Sequence, residues 1–208
     1  MSELAKLFNR HDCDKSRKHR YEQVYEPHFE PRRNDEINLL EIGTFKAAST
    51  KAFRDYFPNA NIYTIDIFQR TRPENLPILN EEKVHWLKAD TTIATLPQLI
   101  RDEFGANLKF NFIIDDGAHW PMANLLTFRN CFPFLAEDGT YFIEDVWPLE
   151  LMSFQQLRHP WLLSRQERYS QLDNNQFVEE INKHTVVRHD LRKTSGQPDS
   201  YIIAVSNQ

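Results

Sequence analysis

One pattern recurs along most of the 208 residues: a short apolar run, a carboxylate where the run ends, then a stretch with apolar residues at helical spacing. Residues 37–42 (INLLEI) stop at Gly43, residues 61–66 (NIYTID) end on Asp66, and residues 83–87 (KVHWL) are followed by Asp90. Residues 110–115 (FNFIID) lead into Asp115-Asp116, and residues 140–144 (TYFIE) into Glu144-Asp145. Short apolar runs bounded by turn-forming residues mark buried strands. Between them, residues 46–57 carry Ala48, Ala52, Phe53 and Tyr56 at helical intervals up to Pro58, and residues 93–104 carry Ile93, Leu96, Leu99 and Ile100. Residues 122–132 read as a further helix. Strands alternating with helices predict a parallel sheet covered on both faces, because each crossover must return the chain to the same end of the sheet. Two later runs, 185–191 and 201–206, are predicted to pair as a hairpin, which makes a mixed seven-stranded α/β sheet.

The flanks differ in texture. Residues 1–36 are highly charged, with Lys15, Arg17, Lys18, His19 and Arg20 preceding Tyr21, Tyr25 and Phe29. They predict a short helical N-terminal arm ahead of a domain over 37–208. Residues 149–184 are mostly polar. A net charge of -5 argues against a surface built to coat nucleic acid or an anionic membrane. Cys13 and Cys131 form no CxxC pair, and no apolar run reaches membrane-spanning or signal-peptide length, so a reducing, cytoplasmic setting is expected. A chain of this size is compatible with a homo-oligomer.

In open α/β sheets, ligands bind outside the carboxyl ends of the strands. Those ends hold Glu41, Asp66, Asp90, Asp115, Asp116, Glu144 and Asp145. Carboxylates gathered on one rim repel one another unless hydroxyls, amines or a cation stand between them. Gly43 allows close approach of backbone to a ligand at the first turn, and Asp66 stands where a carboxylate accepts both hydroxyls of an unphosphorylated ribose. The turn reads Gly43-Thr44-Phe45-Lys46-Ala47 rather than G-x-G-x-x-G, which disfavours a pyrophosphate and favours a nucleoside-type ligand such as S-adenosylmethionine. Asp116 and His119 lie three positions apart, so a metal ligand and a general base can face one substrate. Asp116, Glu144 and Asp145 are hard oxygen donors suited to Mg²⁺, Mn²⁺ or Ca²⁺. Trp120 and Trp147 flank these residues, where flat rings can stack on a sugar, whereas Trp86, Phe128 and Phe132 read as core.

The segments LLEIG at 39–43, IYTIDIF at 62–68, FNFIIDDGAH at 110–119 and GTYFIED at 139–145 resemble the class I S-adenosylmethionine-dependent methyltransferases, which have a Rossmann-like fold. More narrowly, they are similar to the metal-dependent sugar O-methyltransferases of macrolide-type glycosides, whose pattern includes D-D-G-S-H and a later E-D pair. Asp14-Lys15 with His19, Tyr21 and Tyr25 resembles the arm that precedes the catalytic domain there. The similarity runs from about residue 14 to 148. It implies that Glu41 and Gly43 border the methionine part of S-adenosyl-L-methionine, that Asp66 holds its ribose and that Asp90 lies beside the adenine. Lys15, Thr44, Ile67 and Asp115 complete the implied cofactor contacts. Asp116, Glu144 and Asp145 would bind Mg²⁺ or another hard divalent cation, and His119 would deprotonate a hydroxyl of a small-molecule or glycoside acceptor. Phe45 and Ala47 interrupt the family's glycine-rich turn, and Ala118 stands where Ser is usual. Other readings stay open: a catechol-like hydroxyl as acceptor, a relative of the cephalosporin-hydroxylase group, and a cofactor-binding module without turnover.

Overall fold

A computed structural model describes residues 1–208. In chain order the elements are α1 (Glu3–Arg10), α2 (Asp14–Arg17), α3 (Glu22–Phe29), β1 (Asn38–Ile42), α4 (Ala48–Tyr56), β2 (Asn61–Asp66), β3 (Val84–Lys88), α5 (Leu96–Phe104) and β4 (Phe110–Asp115). There follow α6 (Pro121–Cys131), β5 (Leu135–Ile143), α7 (Phe154–Leu157), α8 (Pro160–Leu163), α9 (Gln171–Ile181), β6 (Thr185–Asp190), α10 (Arg192–Ser195) and β7 (Tyr201–Ser206). The seven strands form one sheet in the order β3-β2-β1-β4-β5-β7-β6. The first five are parallel, and β7 runs antiparallel to both β5 and β6. Strand order reverses between β1 and β4, so their outgoing connections diverge and leave a crevice at their carboxyl ends.

Two apolar layers cover the sheet. On one face Leu40, Ile42, Ile65, Ile113 and Ile143 pack with Phe128 of α6 and Phe177 of α9. On the other, Leu39, Ile62, Phe112 and Phe142 pack with Phe53 of α4, and here the N-terminal segment enters the core. Leu4, Leu7 and Phe8 of α1 and Tyr25 and Phe29 of α3 belong to this same cluster. The Phe29 ring lies 4.7 Å from Phe112 and 5.1 Å from Phe57, centroid to centroid. One stripe each of α1 and α3 is therefore packed into the sheet's own core. Their high charge hides this in the sequence, because each helix buries only one stripe.

Three expectations need correction. Trp86 stands on the edge strand β3, 37% exposed, with its ring edge-on to Phe68 rather than in the core. Strand β5 starts at Leu135, earlier than the apolar run at 140, since Leu135 pairs with Phe110 across a register break. The polar stretch after residue 149 folds into α7, α8 and α9. Helix α9 packs on α6, with an ion pair between Arg129 and Glu180. No helix is long and apolar enough to cross a membrane.

Candidate active site at the carboxyl ends of the strands

The ends of β1 and β4 touch. The Asp116 N–H donates to the Ile42 carbonyl at 3.0 Å, and a Cβ on Gly43, whose φ is +92°, would meet the Asp116 carbonyl oxygen at 2.1 Å. Only glycine fits there. Glu41, the alternate residue of β1, is fully buried, and its carboxylate accepts hydroxyl hydrogens from Ser49 and Thr50 in the first turn of α4. Burial pushes its carboxyl up to about 7, against the opposing pull of Lys15 and the two hydroxyls. Thr44 bonds Thr64 of the neighbouring strand. At the end of β2, Asp66 accepts the N–H groups of Phe45 at 3.0 Å and Phe68 at 2.5 Å, so its carboxylate ties the first turn to the second. Ile67 and Phe45 beside it are 43% and 49% exposed. Asp90, past β3, is exposed and accepts the Thr92 N–H and hydroxyl at 2.9 and 2.7 Å.

The acidic centre lies between β4, β5 and the N-terminal helices. The Lys15 ammonium, 2% exposed, donates to Asp116 Oδ2 and to Glu144 Oε2, each at 2.5 Å. Burial alone would lower the Lys15 pKa, but Asp116 and Glu144 raise it well above its ordinary value. Tyr25 donates to the other oxygen of Glu144, a carboxyl raised by burial in spite of Lys15. Tyr21 donates to Asp145 Oδ1 at 2.6 Å and accepts the Asp145 N–H at 3.1 Å. Burial also raises the Asp145 carboxyl. Asp115 is buried and accepts the Gly117 N–H and the Tyr141 hydroxyl, both at 3.3 Å, and burial pushes it up to about 7. His19 Nδ1 lies 2.8 Å from the Ser200 hydroxyl and 3.5 Å from Asp145 Oδ1, and burial lowers its pKa to about 4.

His119 Nε2 stands 3.6 Å from Asp116 Oδ1. Donor atoms of Asp116, His119 and Asp145 all lie within 4.8 Å of one another. Of the three carboxylates expected around a cation, Asp116 and Asp145 face His119, whereas Glu144 is taken up by Lys15 and Tyr25. Lys15 thus meets the acids themselves. In sequence, Tyr21 and Tyr25 are visible through the aromatics of the arm and its resemblance, without a stated partner, and the contacts of Ser200 and Tyr141 carry no local signal.

The sequence holds only 5 glycines in 208 residues, and several turns take left-handed backbone without one. Phe45, Ala47, Phe68, His119 and Asp145 all adopt positive φ, between 46° and 64°, at turns leaving the strand ends. Left-handed backbone costs a non-glycine residue roughly 1–2 kcal/mol, so the surrounding contacts must hold each turn in place.

The donor set suits a hard divalent cation. An oxygen each of Asp116 and Asp145 and a ring nitrogen of His119 lie within 4.8 Å of one another, beside the Lys15 ammonium that holds Asp116 and Glu144. Trp147 does not meet the expectation of a free stacking face. It is 4% exposed, stacked on Trp161 at 5.1 Å and 7°, within a cluster that includes Leu149, Leu162 and Tyr169. Trp120 is half-buried, with the Arg168 guanidinium over its ring at 4.6 Å.

Parallel β3-β2-β1-β4-β5 with a closing antiparallel pair, and a site at the switch between β1 and β4, defines the Rossmann-like methyltransferase fold. No family model matches the chain. The sequence is 31% identical over 153 residues to the 8-demethyl-8-(2-methoxy-alpha-L-rhamnosyl)-tetracenomycin-C 3'-O-methyltransferase of Streptomyces olivaceus, covering 70% of this chain and 37% of that protein. It is equally 31% identical over 156 residues to that organism's 8-demethyl-8-alpha-L-rhamnosyl tetracenomycin-C 2'-O-methyltransferase, covering 70% of this chain and 39% of the relative. The chain therefore spans well under half the length of these curated relatives. Among solved structures, MycE, a methyltransferase from the mycinamycin biosynthetic pathway in complex with Mg and SAH, superposes with a TM-score of 0.68 at 22% identity. That match covers 99% of this chain and 54% of MycE. The resemblance seen in the motifs thus extends to sugar O-methyltransferases in sequence and to a methyltransferase in fold.

Proposed function

We propose that the chain is an S-adenosylmethionine-dependent O-methyltransferase that acts, with a divalent cation, on a hydroxyl of a sugar in a glycoside. The observation that carries this reading is the convergence of Asp116, His119 and Asp145 at the mouth of the β1/β4 crevice, beside a Gly43 turn that only glycine can make. Asp66, between the exposed side chains of Phe45 and Ile67, retains lone pairs for ribose hydroxyls and has apolar neighbours for an adenine. Asp116 and Asp145, with Glu144 behind them, would hold Mg²⁺, which when bound acidifies and orients a coordinated hydroxyl. Lys15 and Tyr25 keep Glu144 in place, and Tyr21 does the same for Asp145. His119 accepts the hydroxyl proton while the oxygen attacks the sulfonium methyl carbon. The new C–O bond forms as the C–S bond breaks and S-adenosylhomocysteine leaves. The 2'- and 3'-hydroxyls in the names of the two Streptomyces relatives favour a sugar as acceptor.

Asp116→Asn is expected to abolish cation-dependent transfer to a rhamnosylated acceptor. His119→Ala is expected to lower turnover by about 10²–10⁴-fold, with S-adenosylmethionine binding retained by calorimetry in both variants. Full activity in both would overturn the assignment.

A further inference from the structure

Two observations outside the acidic centre bear on His119. Its backbone is left-handed, with φ +64°, so something must hold the turn. The Tyr169 hydroxyl donates to the His119 carbonyl at 3.1 Å. Tyr169 is only 9% exposed, and its ring packs edge-on against Trp161 at 5.2 Å and Trp147 at 6.5 Å, so the hydroxyl cannot swing away without disturbing that cluster. Its neighbour Arg168 lies over Trp120. Consecutive residues 168 and 169 therefore grip consecutive residues 120 and 119.

The grip has a rigid base. Ser170 caps α9 by accepting the Asp173 N–H, α9 packs on α6, and α6 begins at Pro121, directly after Trp120. On the other side Trp147, two residues past Asp145, belongs to the same aromatic cluster. One small cluster thus braces both turns, and those turns carry His119 and Asp145 toward Asp116.

We propose that Tyr169 is a positioning residue whose hydroxyl, by holding the His119 carbonyl, maintains the left-handed turn that aims the imidazole at Asp116 and Asp145. This rests on His119 being the base proposed above. Without the hydroxyl the carbonyl is free to rotate, the turn relaxes toward right-handed φ, and the imidazole is carried off the acceptor. The cofactor side is spared, because Glu41, Asp66 and Asp90 stand at or just past the ends of β1, β2 and β3 and are held by Ser49 and Thr50, by Phe45 and Phe68, and by Thr92, none of them in this cluster.

Tyr169→Phe keeps the ring and removes only the hydroxyl. The variant is expected to lose about tenfold in kcat, the scale of one hydrogen bond, with KM for S-adenosylmethionine unchanged and the thermal midpoint lowered by no more than about 4 °C. In a His119→Ala background the same substitution is expected to have no further effect, since a strut has nothing left to aim. Hydrogen exchange at the amides of residues 117–120 is expected to speed up in Tyr169→Phe without any ligand present. Unchanged kcat, an additive loss in the double variant, or exchange identical to the parent would each overturn the proposal. If the parent transfers no methyl group, that failure belongs to the methyltransferase reading, and the exchange measurement alone decides the role of Tyr169.

Discussion

At the scale of single residues, the site depends on Lys15. It is a buried ammonium with two carboxylate partners, supplied by an N-terminal helix more than a hundred residues away in sequence from Asp116. Removing one partner of a buried charge network costs about 3–5 kcal/mol, because the remaining charges lose their compensation. Lys15→Met is therefore expected to lower unfolding free energy by that amount in denaturant titrations, and adding Glu144→Gln is expected to recover part of it. No recovery would place the role of Lys15 in packing alone. Glu41 and Asp115 carry a second signature. In the folded chain both hold a proton up to about pH 7, whereas unfolded they release it at about pH 4. Between those values the folded state binds more protons, so each contributes stability that is full below about pH 4 and is lost as pH rises to 7. Glu41→Gln is expected to flatten the dependence of the denaturation midpoint on pH over that window. A slope as steep as the parent's would show that Glu41 does not titrate there.

At the scale of elements, the N-terminal helices act as one wall of the core. Phe29 alone faces Tyr25, Phe53, Phe57, Phe112 and Phe142. Phe29→Ala is expected to destabilise the fold by about 3–5 kcal/mol in chemical denaturation, as truncating a buried Phe does. A loss of a few tenths would mean that the segment is a detachable arm. Much of the sheet was legible in the sequence, because buried parallel strands are short apolar runs. Residues 61–66, 110–115 and 201–206 begin and end in the structure where those runs do. The start of β5 was not legible, since Ala136, Glu137 and Asp138 fall in the register break between the Leu135 and Thr140 pairings and lack apolar alternation. Nor were α7, α8 and α9. Their polar sequence buries few residues each, and only packing on α6 and the Trp147 cluster defines their place. The acidic rim could be read because the topology delivers every parallel strand to one end. Tyr169 could not, because its link to His119 spans fifty residues and has no spacing rule.

For the whole molecule, a sheet whose parallel strands end together sets a group of carboxyl groups around one crevice, where burial keeps Glu41 and Asp115 protonated up to about pH 7 and Lys15 holds Asp116 and Glu144. The convergence of Asp116, His119 and Asp145 beside the Gly43 turn is what the proposed account rests on, in which a hydroxyl would be deprotonated and methylated beside a divalent cation. The most direct test is methyl transfer from labelled S-adenosylmethionine to a rhamnosylated aglycone, measured in Mg²⁺, after EDTA, and after Mg²⁺ is restored. The account predicts a product one CH₂ heavier, its loss on chelation and its recovery with the metal. Product formation indifferent to EDTA, or a chain that does not bind S-adenosylmethionine at all, would contradict it.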